Sequence, residues 1–360
     1  MRVRARNIVF VACAITAACV MSSKRESPRT PQTRGIHQQQ SPPQPRELLS
    51  TSASAINTVG YEDSPYLSPD GRQFYFMYTP WQTWPMFNGQ PPMLIGPERP
   101  GHHPAPDGNP FEDSDIYVAT RQADGTRSAP VNMGFNDDRA DCCAMTWDGV
   151  TFAYQRTQTV NSALSDLALV QRQGGSWQRL ILPAPVNLPT SSESNPHLTA
   201  AGNGIYFTSD RPGGFGGTDL YVTHLNNDGS WQTPVNLGPT INTSAHEDQI
   251  WVSRDEHTMY FNRTPSGGTP QIFTSTFVNG AWTTPQAVRF GGQLLPGAEA
   301  SLTDDQTVMT FALVRPDLND ILMVVSTRVA GGDWSAPVPI DQANVAPAPA
   351  SQRPQITGPQ

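Results

Sequence analysis

Acidic residues recur at one place in this chain. Glu62-Asp63, Asp141, Glu193 and Glu247-Asp248 occupy equivalent positions of an internal repeat, and Glu299 lies two residues off. Carboxylates gathered this way suit a cation or a basic ligand. Two of them in different protonation states suit glycosidic-bond cleavage, with Glu62, Glu193 and Glu247 as the candidates. They also serve to cap backbone N–H groups. Repeat-equivalence favours that structural use over differentiated acid and base roles. No D-x-D-x-D-G loop supports a calcium site.

A second group of residues lies in the stretch 79–113. Trp81, Trp84, Phe87 and Met93 are accompanied there by His102 and His103. Exposed tryptophans suit a sugar ring or a protein partner. Adjacent histidines point apart in an extended chain, so a metal site is not expected from them. The plainer reading is a proline-rich flap over the neighbouring sheet. The glycines of 209–217 could cradle an anion or simply reverse the chain, with Asp219 bonded to the turn. Cys142 and Cys143 are adjacent. A bridge between them would join Cα atoms only about 3.8 Å apart, shorter than the usual range. Two reduced, partly buried thiols are therefore expected.

Known catalytic patterns are missing. There is no G-x-S-x-G elbow, no H-E-x-x-H (His246-Glu247 lacks the second histidine), no P-loop and no zinc cysteine spacing. No catalytic residue, metal or cofactor is assigned.

The elements that position these residues follow from composition and repetition. The 360 residues include 35 prolines and 29 glycines, and only 15% are charged. Many turns and little amphipathic helix point to an all-β chain. The net charge of −8 argues against a nucleic-acid partner. Aromatic residues of apolar runs recur at Phe76, Tyr154, Phe207, Phe261 and Phe311, at spacings of 78, 53, 54 and 50. Asp70, Asp148, Asp255 and Asp305 each stand six positions before one of them, in turn sequences. Third strands begin near Asp115, Asp166, Asp219, Gln271 and Asp320, and Trp177, Trp231, Trp282 and Trp334 announce fourth strands. The long first spacing contains an insertion of 27 residues between strands two and three, and removing it restores the common pitch. Repeats of this size, each a four-stranded meander, predict a single five-bladed β-propeller over 47–342. Ile56-Asn57-Thr58 precedes Glu62 as Ile241-Asn242-Thr243 precedes Glu247. Residues 48–54 are thus expected beside the last blade, helping to close the ring.

Pro65–Gly71 and Ser209–Val222 resemble the WD40-like propeller repeat of TolB and related bacterial envelope proteins, P-x-x-S-x-D-G and S-D-R-x-G-G-x-G-x-x-D-[IL]-Y-V. The resemblance covers roughly four-fifths of the chain and speaks to fold more than function. It implies an envelope protein that uses the ring as a non-enzymatic platform for an envelope protein or glycan ligand. A glycan-active enzyme of the five-bladed kind is the alternative. A monomer is expected.

The N-terminus supports export. Arg2, Arg4 and Arg6 precede an apolar run too short to span a membrane, and 1–21 reads as a signal. Ile15-Thr16-Ala17-Ala18-Cys19 is similar to a lipoprotein cleavage box, with Thr16 departing from the usual branched aliphatic residue. Cys19 is the candidate for lipidation, giving a membrane anchor. An ordinary cleaved signal would instead release the chain to the periplasm. Residues 22–46 and 343–360 are rich in Pro, Gln, Ser or Ala, and are expected to be disordered.

Overall fold

A computed structural model describes residues 56–83, 90–104, 113–159, 162–316 and 320–342. Cys19, Trp84, Phe87 and the segment 48–54 lie outside these residues. Each repeat folds as an antiparallel meander. Blade 1 contains Tyr61–Leu67, Gln73–Thr79, Asp115–Thr120 and Val131–Asn132; blade 2 contains Asp141–Met145, Thr151–Thr157, Ser165–Gln173 and Ser176–Ile181. Glu193–Leu198, Gly204–Ser209, Asp219–His224 and Val235–Asn236 form blade 3. In blade 4, His246–Val252, Thr258–Thr264 and Gln271–Val278 carry two short outer strands, Ala281–Trp282 and Gln286–Ala287. Gly297–Leu302, Val308–Arg315, Asp320–Thr327 and Val338–Pro339 form blade 5. Inner strands of successive blades pack together, and the fifth returns to the first, so the five sheets make a closed β-propeller. No α-helix forms among the described residues.

The repeated residues explain the blades. Phe76, Tyr154, Phe207, Phe261 and Phe311 are all buried on second strands. Asp70, Asp148, Asp255 and Asp305 hold the first turn of their blades. In each, Oδ1 accepts a backbone N–H two residues on, at 2.8–3.1 Å.

Every inner strand also contains a bulge. Its register slips between Asp63 and Tyr66, Cys142 and Met145, Ser194 and His197, Asp248 and Trp251, and Ala298 and Ser301. One residue inside each slip takes the left-handed conformation: Ser64, Cys143, Asn195, Gln249 and Glu299, with φ between 50° and 62°. A bulge re-aims its side chain, and here all five line the ring axis.

The insertion is a built structure where it is described. Trp81–Gln82 pairs with Met93–Leu94 as a short hairpin. Topology places it on the face that also carries the connections between blades.

Candidate functional site

The acidic set is engaged in a recurring joint between blades. Within each connection stands an asparagine: Asn57, Asn136, Asn187 or Asn242. Its side-chain amide donates to, and its carbonyl accepts from, one backbone residue on the third strand of the blade before, namely Met323, Ile116, Leu167 or Leu220. The next residue along, Thr58, Asp137, Leu188 or Thr243, donates its N–H to a carboxylate at 2.8–3.0 Å. Those carboxylates are Glu62, Asp141, Glu193 and Glu247. All four are buried.

Each carboxylate also has an arginine. Glu193 Oε1 lies 3.2 Å from Arg211 and Glu247 Oε1 2.6 Å from Arg263, while Asp141 lies 3.7 Å from Arg156. In blade 1 the arginine comes from the insertion: Arg99 sits 3.8 Å from Glu62, donates to the Ile56 carbonyl and stacks over Tyr78 at 4.1 Å. Arg211 and Arg263 make the matching bonds to the Val186 and Ile241 carbonyls. Burial pushes Asp141 well above the usual carboxylate range, reinforced by the Asp137 charge. Burial likewise raises Glu193, against the pull of its hydrogen bonds.

The neighbouring acids have different surroundings. Asp248 accepts from Thr218 Oγ1 at 2.8 Å. Asp63 accepts from Tyr61 Oη at 3.2 Å, and its carboxyl also hydrogen-bonds Glu299.

The joint between blades 4 and 5 departs from the others. Gly297 holds the place of the capping carboxylate, and a Cβ there would come 3.0 Å from the Phe311 ring. The acid has moved to Glu299, the bulge position, on the channel wall. Glu299 accepts from the Ser64 N–H at 2.7 Å and from the Gln249 amide. Among the described residues, no basic side chain pairs with Glu299 or Asp63. Burial, then the Asp63 charge, lifts Glu299 well above the ordinary range, and burial lifts Asp63 to about 6. Both carboxyls are thus pushed up by burial, Glu299 also by the Asp63 charge, and their titrations belong to the pair.

Sequence reasoning missed the ring of bulge residues. The repeat-equivalent cap keeps its acidic type in blades 1 to 4, whereas two positions on the chain reads Ser, Cys, Asn, Gln, Glu. Variation among polar residues at a repeated position was the available signal. The channel holds a cavity of about 50 Å³ that opens to solvent. Gln249 Oε1 and Trp251 Nε1 belong to its lining residues and are buried with no hydrogen-bond partner. His197, also lining it, is held neutral by burial, which pushes its pKa down to about 3. The Cys142 and Cys143 sulfurs lie 2.8 Å apart.

In the insertion, His102 Nδ1 lies 2.8 Å from Glu98 and Nε2 lies 3.2 Å from Asp113. Burial opposes its charge, but the bonds to Asp113 and Glu98 outweigh this and hold its pKa at about 9. His103 donates its backbone N–H to Asp115 at 2.9 Å. The His103 bond ties the insertion to the third strand of blade 1, and the His102 contacts brace the insertion internally. Trp81 is half-buried, while Met93, Leu94 and Ile95 stand 47–56% exposed in an unbroken run. In the glycine-rich loop, the Phe215 and Gly216 N–H groups go to Asp219 rather than outward.

No family model and no curated protein matches this chain. Solved structures are similar at the level of fold. A TolB-type protein from Agrobacterium tumefaciens is 15% identical, with 78% of this chain and 81% of that one covered and a TM-score of 0.44. A thermostable family-43 glycoside hydrolase is 11% identical over 83% of this chain and 100% of that one, with a TM-score of 0.45. An α-L-arabinanase from Penicillium chrysogenum, complexed with arabinobiose, is 11% identical over 78% and 81%, with a TM-score of 0.43.

Proposed function

We propose that this chain is an exported cell-envelope propeller that acts as a non-enzymatic binding platform, with the insertion-bearing face as its working face and an envelope protein as its partner. The observation that carries this reading is the Met93–Ile95 run. Three consecutive large apolar residues stand exposed on a hairpin that is not loose. Arg99 fixes its base to the buried Glu62, and His102 braces it between Glu98 and Asp113, so the hairpin presents a preformed apolar strip. Glu62, Asp141, Glu193 and Glu247 support the same face from beneath, each spent on a backbone cap and an arginine. Trp81, paired with Leu94, backs the strip. Trp84 and Phe87, outside the described residues, belong to the same insertion, and export with Cys19 lipidation would set it at a membrane surface.

The test is capture of envelope proteins by purified 47–342. Substituting Met93, Leu94 and Ile95 by Ser leaves Arg99 and His102 in place, so the blades stay intact. Loss of a specific captured partner supports the reading, and unchanged capture places the site elsewhere.

The Asp63–Glu299 pair favours a second reading, a glycan-active enzyme with channel carboxylates. Incubation with polysaccharide and peptidoglycan fragments separates the two: turnover abolished by Glu299→Gln would establish the enzyme, and binding without turnover the platform.

A further inference from the structure

We propose that the central channel is a binding site for a primary alkylammonium group, such as a lysine side chain or a small diamine, with Glu299 and Gln249 as its polar contacts. Its lining does not include the Met93–Ile95 strip.

Three observations converge. The first is electrostatic. Every capping carboxylate of the ring has an arginine, at 2.6–3.8 Å. The Asp63–Glu299 pair has none among the described residues, although both carboxyls are buried. A buried negative charge without a counter-cation is costly unless something supplies one. An ammonium seated beside the pair would supply one.

The second is an orphaned acceptor. Gln249 is 7% exposed and its amide already bonds Glu299, so its unpartnered Oε1 lies beside the carboxyl pair. An ammonium brings three N–H donors and no acceptor. Glu299 and Gln249 Oε1 offer two acceptors on the wall.

The third is the next level of the channel. One residue further along the same strands, the wall is Pro65, Ala144, Pro196, Ile250 and Ala300. An apolar sleeve adjoining an acid suits an alkyl stem ending in a charged head. It does not suit a hard divalent cation, which takes six or more oxygen ligands. Among the described residues the lining holds one basic side chain, His197, and burial keeps it neutral, so it would not attract an anion.

Calorimetric titration of the 47–342 domain with n-butylammonium tests this, with tetramethylammonium and Ca²⁺ as comparison probes. Saturable binding of butylammonium is expected, absent for tetramethylammonium, which has no N–H. Glu299→Gln and Gln249→Leu should each weaken it about tenfold or more, and Asp63→Asn/Glu299→Gln should abolish it. None of these changes strands an arginine, and circular dichroism and thermal melting verify the fold. No butylammonium binding, equal binding of tetramethylammonium, a response to Ca²⁺ alone, or binding that survives the double substitution would each overturn the proposal. The Met93–Ile95 substitutions should leave this binding unchanged, so the channel and the working face are tested independently.

Discussion

Asn57 and Met323 are 266 positions apart, yet they form a two-way clamp. Asn57 Nδ2 donates to the Met323 carbonyl at 3.1 Å, and the Met323 N–H donates to Asn57 Oδ1 at 2.8 Å. Asp341 adds to it by accepting the backbone N–H groups of Ile56 and Asn57, each at 3.1 Å. The joint used between consecutive blades is thus reused to close the ring.

Closure should depend on that clamp. Asn57→Ala removes both bonds, together with the one from Asn57 Nδ2 to Asp341 at 2.8 Å, and leaves backbone groups of Met323 in a partly buried place without their partner. A loss of about 2–3 kcal/mol is expected, similar to Asn187→Ala or Asn242→Ala at internal joints. Urea unfolding measures it. A cost no larger than that of a surface substitution would show that closure rests on packing alone.

The capping acids should behave as structure. Glu247→Ala strands Arg263 and the Thr243 N–H, and about 3–5 kcal/mol is expected from breaking such a buried pair. Glu299→Gln should cost under about 1 kcal/mol, because no arginine is left behind. Comparing urea midpoints of the two variants decides this, and equal costs would contradict the distinction between cap and channel acid.

Stability of the unliganded domain should fall as pH rises through about 6. Burial raises Asp63 from its ordinary range to about 6 in the folded state. The group then favours folding fully below the unfolded pKa near 4, and that contribution is lost on ionisation in the fold. The expected size is ~2–3 kcal/mol. Asp115, also raised to about 6 by burial, titrates in the same window. Asp63→Asn should therefore reduce the slope between pH 4 and 7 without removing it. A melting temperature flat across that range in the wild type would refute the assignment.

The insertion should loosen at alkaline pH. His102 is held protonated to about 9 by Asp113 and Glu98. Its stabilising contribution is complete below the unfolded value near 6.5 and disappears as pH passes 9. Limited proteolysis within 79–113 should accelerate from pH 7 to 9.5, and His102→Gln should be cleaved quickly at both. A wild-type rate independent of pH would count against this bracing.

The sequence by itself determined the repeat, the blade count and the insertion. Those signals are local: a turn aspartate, a buried aromatic six residues later and a fixed pitch reflect hydrogen bonds and packing within one meander. The Ile56-Asn57-Thr58 match even marked the first joint, because the joint repeats its sequence. What the acids do was decided only by tertiary structure. Arg263 faces Glu247 directly across a strand pair, but Arg99 reaches Glu62 from a non-repeat segment and Arg211 from beyond its strand. No spacing rule joins them. Glu299 read as a misplaced member of the acidic set. The bulge shows it to be in register with Ser64, Cys143, Asn195 and Gln249 instead. A left-handed residue turns its side chain to the ring axis, and five such residues meet there only because the chain closes on itself. That meeting depends on contacts far apart in sequence, Asn57 to Met323 and Asp63 to Glu299, which periodicity within a repeat does not encode.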